Sequence, residues 1–188
     1  MGSPNTNDLF QIGKLNTTGE GASPIIAKIS RIASGATVGT GATSLIGFQY
    51  SEADPYYTTY FIPSLDLVGF KILESGYYDI DVSVWMTASG ASVTADLIIC
   101  YWGSQGEVSA TTTGTILSNS RFFMAVVGAT VTNHAYARKV FLEKGVFIAF
   151  YCTNQGSGTV TIESSSSTTA QASIQLICPA QNATFTRL

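Results

Sequence analysis

From residue 24 onward the chain is written in short apolar runs separated by Gly, Ser, Thr and Asn, with β-branched and aromatic residues predominating. No stretch sustains a helical period. Alternation is plain in Tyr78-Asp79-Ile80-Asp81-Val82-Ser83-Val84-Trp85-Met86. Tyr78, Ile80, Val82, Val84 and Met86 fall on one face there, and the two Asp, Ser83 and Trp85 on the other, the pattern of a half-buried strand. Less regular apolar runs predict strands over 25–32, 44–50, 57–62, 66–72, 93–102, 122–127, 135–142, 146–152, 159–163 and 171–178. Turn signals separate them at Ser89-Gly90, 103–106, Thr113-Gly114, Lys144-Gly145 and 154–158, while the polar tract 164–169 reads as an exposed loop. About ten short strands spaced in this way predict an all-β antiparallel sandwich or jelly roll rather than a parallel α/β sheet.

Residues 1–23 mix Asn, Thr, Gly and Ser with a few apolar residues and hold no period, so they read as an N-terminal arm or tether. One domain follows, over 24–178, and 179–188 form a C-terminal tail. The N-terminus lacks the basic-then-apolar pattern of a signal peptide, and Met1-Gly2 with Thr6 matches a myristoylation pattern only formally, with Pro4 inside it.

Charge changes the picture. Charged residues make up 11% of the chain and residues of the AVILMFWYC set 45%, whereas a typical soluble domain is about 25% charged. Ten Phe, nine Tyr and two Trp exclude disorder over most of the chain. A folded monomer of this size presents about 8,700 Å² of surface, and nine basic and twelve acidic side chains cover it sparsely. Subunit contacts that hide part of the surface would account for the shortage. Long uncharged stretches such as 32–51 are too rich in Gly, Ser and Thr for a membrane span. The net charge of −3, with Lys and Arg scattered singly, excludes the basic footprint of a nucleic-acid binder.

Candidate chemistry is thin. Cys100, Cys152 and Cys178 are too few and too far apart for a disulfide framework or a zinc site, and two lie within apolar runs, as buried free thiols do. The single histidine, His134, stands in a polar stretch without a hydrolase-type Ser or Cys motif and reads as a loop histidine. Asp79 and Asp81 share a strand face, as a metal or glycosidase site would require, but lack a dense set of oxygen ligands and read as a solvated face. The glycines of 35–47 have no P-loop Lys. Asn16-Thr17-Thr18 and Asn182-Ala183-Thr184 match sequons that matter only in a eukaryotic secretory setting. Tyr56 and Tyr60, together with Trp102, offer a candidate aromatic surface for a sugar ligand. No catalytic residue, cofactor site or metal site is expected, and the chain reads as no enzyme.

Phe70, Ile72, Gly76 and Tyr78 resemble the signature of the C1q/TNF-like head domain, in which a Gly turn is followed by a core Tyr opening the next strand. Residues 140–148, an apolar strand, a Gly turn at Gly145 and a second apolar strand, look like that family's later hairpin. Val146 stands where the family usually has Asp, and 172–177 lacks the Phe-Ser-Gly-Phe core of its last strand. The resemblance implies a ten-stranded jelly roll assembling as a homotrimer, and the charge shortage fits that independently. No residue can be carried over for the calcium that some family members bind, and the collagen-like repeats that precede many of them are absent. The expectation is a non-enzymatic trimeric structural protein at a virion surface, a bacteriophage capsid decoration, spike or host-attachment head. Its arm would meet capsid or other virion proteins and its loops a cell-surface glycan or receptor. The alternative is a C1q-like glycan- or protein-binding module, secreted or on a bacterial cell or spore surface.

Overall fold

A computed structural model describes residues 25–31, 37–48, 50–53, 61–63, 68–124, 128, 130–163 and 170–180. Among them the chain forms thirteen strands: β1 (Ile25–Arg31), β2 (Thr37–Val38), β3 (Thr43–Leu45), β4 (Tyr50–Ala53), β5 (Phe61–Pro63), β6 (Gly69–Ile72), β7 (Gly76–Ser89), β8 (Val93–Trp102), β9 (Thr115–Met124), β10 (Thr130–Leu142), β11 (Phe147–Asn154), β12 (Thr159–Glu163) and β13 (Ala170–Pro179). One short 3-10 turn, Gln105–Glu107, is the helical element among the described residues. The pattern of short runs is therefore resolved into strands, with β2 added beside the glycine-rich stretch and the run expected over 44–50 holding strand at its two ends, in β3 and the start of β4.

All strand pairs are antiparallel and fall into two sheets. In the seven-stranded first sheet the order runs β2-β12-β7-β13-β1-β4, with β12 and β13 pairing with successive parts of β7 and β10 also pairing with β7. The six-stranded second sheet runs β5-β6-β11-β8-β9, with β3 beside the second half of β11. Because successive strands pass back and forth between the sheets, the two close into a jelly-roll sandwich.

The core lies between them. β7 alternates as its sequence requires, with Tyr78, Ile80, Val82, Val84 and Met86 all fully buried. From the second sheet Phe70, Leu97, Ile99, Ile148 and Phe150 meet them. Phe150 receives Phe48 and Phe70 edge-on, at ring centroids of 5.8 and 6.2 Å, the arrangement that opposes a ring edge to a ring face. Each of these large side chains contributes roughly 1.5–3 kcal/mol by leaving water.

The motif Phe70, Ile72, Gly76, Tyr78 spans the passage from β6 to β7. Phe70, Ile72 and Tyr78 are fully buried, and the Tyr78 hydroxyl donates to the Glu74 carbonyl at 2.6 Å, so the phenol closes the turn that delivers it. Gly76 is required by crowding, since a Cβ there would lie 2.7 Å from the Cys178 carbonyl oxygen of β13.

Two strands begin earlier than the apolar pattern predicts. β9 starts at Thr115 and β10 at Thr130, because exposed strand segments need no apolar residues and are defined by backbone pairing with β8 and β7. His134 therefore stands within β10, opposite Ser83, and not in a loop. The tract 164–169, Tyr56, Tyr60, the arm, both sequons and the residues after 180 lie outside the described residues.

Candidate functional site

The outer face of the first sheet is built mainly by β7 and β10. On β10 the small residues Ala135 and Ala137 point into the core, leaving His134, Tyr136 and Arg138 exposed on the opposite face. The register then slips between Ala137 and Val140, and Lys139 takes a left-handed φ of 52°. This bulge turns the Lys139 N–H toward Asp79, which accepts it at 2.7 Å.

Arg138 lies between the two carboxylates of β7, with Nη1 3.5 Å from Asp79 Oδ2 and Nη2 3.7 Å from Asp81 Oδ2. Its guanidinium also sits 5.3 Å from the centroid of the Tyr136 ring. These contacts are long and half-open to water, so they contribute little to stability. Their effect is chemical: Asp79 and Asp81 share the one guanidinium of Arg138 and do not stand as a free acid pair. Among the described residues no group of three His, Cys, Asp or Glu side chains comes together to hold a metal ion. His134 faces Ser83 on the neighbouring strand.

The large apolar side chains exposed among the described residues are Ile116, Phe123, Tyr136 and Phe141, all on β9 and β10. Phe123 is 65% and Tyr136 59% exposed. β9 is an edge of the second sheet and β10 an edge of the first. Ile116 and Phe123, opposite Cys100 and Thr94, stand on the outer face of the second sheet, and Tyr136 and Phe141, opposite Asp81 and Tyr77, on that of the first, so the four flank the side of the sandwich where these edges meet. Asn133 and Ser120 bind the two strands there, with Ser120 Oγ donating to Asn133 Oδ1 at 3.0 Å and Asn133 Nδ2 to the Ser120 carbonyl at 3.2 Å. At the far end of β10, Phe141 meets Tyr77 at 5.3 Å between ring centroids. This wall was invisible to a strand-by-strand reading. The signal that finds it is the alternation of small with large residues over 133–138, broken by the adjacent Arg138 and Lys139.

On the outer face of the second sheet, Asp96 is buried beneath Arg121, accepting from Nε at 2.8 Å and from Nη2 at 3.0 Å, and Gln155 Nε2 also donates to it. The bond and the charge of Asp96 raise the pKa of the guanidinium still further. This bidentate pair fixes the edge strand β9 to β8.

Trp102 is half-buried against Ile98, Cys100, Phe147, Ala149 and Tyr151, a cluster on that same outer face. Its buried Nε1–H lies beside the Cys100 and Tyr151 side chains without a well-formed hydrogen bond to either. All three cysteines are free thiols, Cys100 and Cys152 buried and Cys178 half-buried. Burial pushes the Cys100 thiol up to about 11 and the Cys152 thiol up to about 12, which keeps both protonated and unreactive while covered. No helix among the described residues is long and apolar enough to cross a membrane.

No family model and no curated protein matches the chain. Among solved structures it is similar to the Eiger TNF of S. frugiperda, at 12% identity and a TM-score of 0.50, over 86% of this chain and 98% of that one. At that identity the likeness establishes the fold, a TNF-like jelly roll, in agreement with the motif around Tyr78.

Proposed function

We propose that the chain is a non-enzymatic trimeric head whose work is assembly and adhesion, carried at the surface of a virus particle as a capsid decoration, spike or host-attachment protein. The observation that carries the trimer is the side wall of β9 and β10, where the exposed large apolar residues are gathered on two adjacent sheet edges. Large apolar side chains left exposed on sheet edges are a hazard for a monomer and an asset for an oligomer. In this reading the wall of one subunit seats against the first-sheet face of the next, a head-to-tail contact that closes after three copies. The scarcity of charge along the chain supports it, since buried subunit contacts are depleted in charged residues.

The particle role rests on the chain's composition, rich in Thr, Ser and Gly, and on the expectation that residues 1–23 act as a tether. Many copies on a repetitive surface would convert weak single contacts into firm attachment.

Light scattering over a dilution series tests the assembly. The expected species is about 60 kDa, three times the 19.9 kDa chain, and the double variant Phe123→Glu/Tyr136→Glu is expected to run as a folded monomer. A 20 kDa wild-type species at all concentrations would sink the reading. Deleting residues 1–23 is expected to leave the trimer intact and abolish incorporation into the particle; truncated trimers that incorporate normally would remove the proposed anchor.

A further inference from the structure

The outer face of the second sheet carries a small apolar core of its own, on which Val108 of the connection 103–114 packs beside Leu45, Val68 and Trp102. Residues 103–114 leave β8, cross β11 as far as β3 and return to start β9. Three contacts mark the route. The Tyr151 hydroxyl of β11 donates to the Ser109 carbonyl at 2.7 Å, the Leu45 N–H of β3 donates to the Ala110 carbonyl at 2.9 Å, and Val108 packs into the cluster of Ile98, Cys100, Phe147, Ala149 and Tyr151. Residues 103–107 and 110–112 are exposed. The segment also folds on itself, with the Thr111 and Thr112 N–H groups both donating to Ser109 Oγ. Its return is tightly packed, since a Cβ on Gly114 would lie 2.3 Å from the Tyr101 carbonyl oxygen and 3.0 Å from the Trp102 ring.

A segment with one apolar peg and mostly exposed backbone belongs to the low end of local stability. Beneath it, Cys100 and Tyr151 are fully buried. We propose that residues 103–114 are a strap that opens as a unit over an intact sandwich, with the Tyr151–Ser109 bond as its latch and Gly114 as its hinge. Opening bares an apolar strip along β8 and β11 with the Cys100 thiol in it. The closed strap protects that thiol, and the open strap offers it to solvent without unfolding the core that holds Cys152.

The two cysteines make the proposal testable in the unmodified chain. A small thiol reagent is applied in native buffer and in rising, sub-denaturing urea, and labelling of Cys100 and Cys152 is followed by peptide mass. Cys100 is expected to react at least about tenfold faster than Cys152, with little urea dependence, as local opening requires. Tyr151→Phe should raise the Cys100 rate about fivefold, the effect of one net hydrogen bond, and leave the Cys152 rate unchanged. Gly114→Ala should do the same by crowding the hinge. Equal rates with equal urea dependence for the two thiols would overturn the proposal, because exposure would then require global unfolding. A Tyr151→Phe chain whose two thiols accelerate together, or neither, would remove the latch.

Discussion

The two sheets solve burial differently. In the first, β7 and β13 alternate, with one face in the core and the other meeting solvent through Asp79, Asp81, Ser173 and Gln175. In the second, six successive residues of β8, Ala95 to Cys100, are buried, as are Phe147 to Cys152 of β11. Their inward residues meet the sandwich core and their outward ones the cluster under residues 103–114. An alternating run therefore marks a strand covered on one side, and a continuous apolar run marks one covered on both.

The sharpest break of this contrast is Tyr78→Asp. It places an unpaired charge at a fully buried position and removes the hydroxyl bond to Glu74. The expected outcome is loss of cooperative folding by circular dichroism and urea titration, and a soluble, cooperatively folded variant would contradict the core assignment.

A pair of truncations compares the two cores directly. Ile80→Ala, between the sheets, should cost about 3–5 kcal/mol, and Ile98→Ala, under the strap, about 2 kcal/mol, because a mobile cover relaxes into the cavity. Equal losses in urea unfolding would make the outer cluster as rigid as the sandwich core.

Asn154 is the polar stitch between the sheets. It is fully buried at the end of β11, and its Nδ2 donates to the Val38 carbonyl of β2 at 3.1 Å and to the Gly158 carbonyl at 2.7 Å, while its Oδ1 accepts from the Gly156 N–H. Asn154→Ala strands these groups and should cost about 2–3 kcal/mol in the same assay.

Alkali probes both cores at once. Cys100 and Cys152 are held above the ordinary thiol value of 9.0, and Tyr151 is pushed up to about 12 from 10.0, burial being the first cause in each. Between the ordinary and the raised values the unfolded chain has lost protons that the folded chain keeps, so stability is full below about pH 9 and falls as pH rises toward 11 and 12. Urea unfolding at pH 8 and 10 should differ by about 1 kcal/mol per thiol, and Cys152→Ala should flatten the slope.

The smallest effect is expected at Trp102. Trp102→Phe removes a buried N–H that makes no well-formed bond, beside Cys100 and Tyr151, so loss of ring area and relief of a poorly satisfied donor nearly cancel, within about 1 kcal/mol.

Much of this fold can be read in single stretches of chain. The alternation of 78–86 places β7 with the correct face inward, and Phe70, Ile72, Gly76 and Tyr78 mark the passage into it. Lys144-Gly145 and 154–158 fall in the connections that end β10 and β11. The early halves of β9 and β10 escape such reading because edge segments such as Thr115 and Thr130 are selected for backbone pairing. The candidate site escapes it for another reason. Arg138 reaches Asp79 from 59 residues away through a bulge at Lys139, and the wall of Ile116, Phe123, Tyr136 and Phe141 exists only once β9 and β10 lie side by side.

An all-β chain, the faces of its alternating strands and its main turns are legible from local sequence, because periodicity, propensity and steric demands act between near neighbours. Long-range pairing instead sets that Asp79 and Asp81 share one arginine, that Trp102 packs on the outer cluster beside Gly114, and which edge strands carry the exposed apolar side chains. Those outcomes depend on pairing between strands distant in the chain, where register and crossing set which side chains meet.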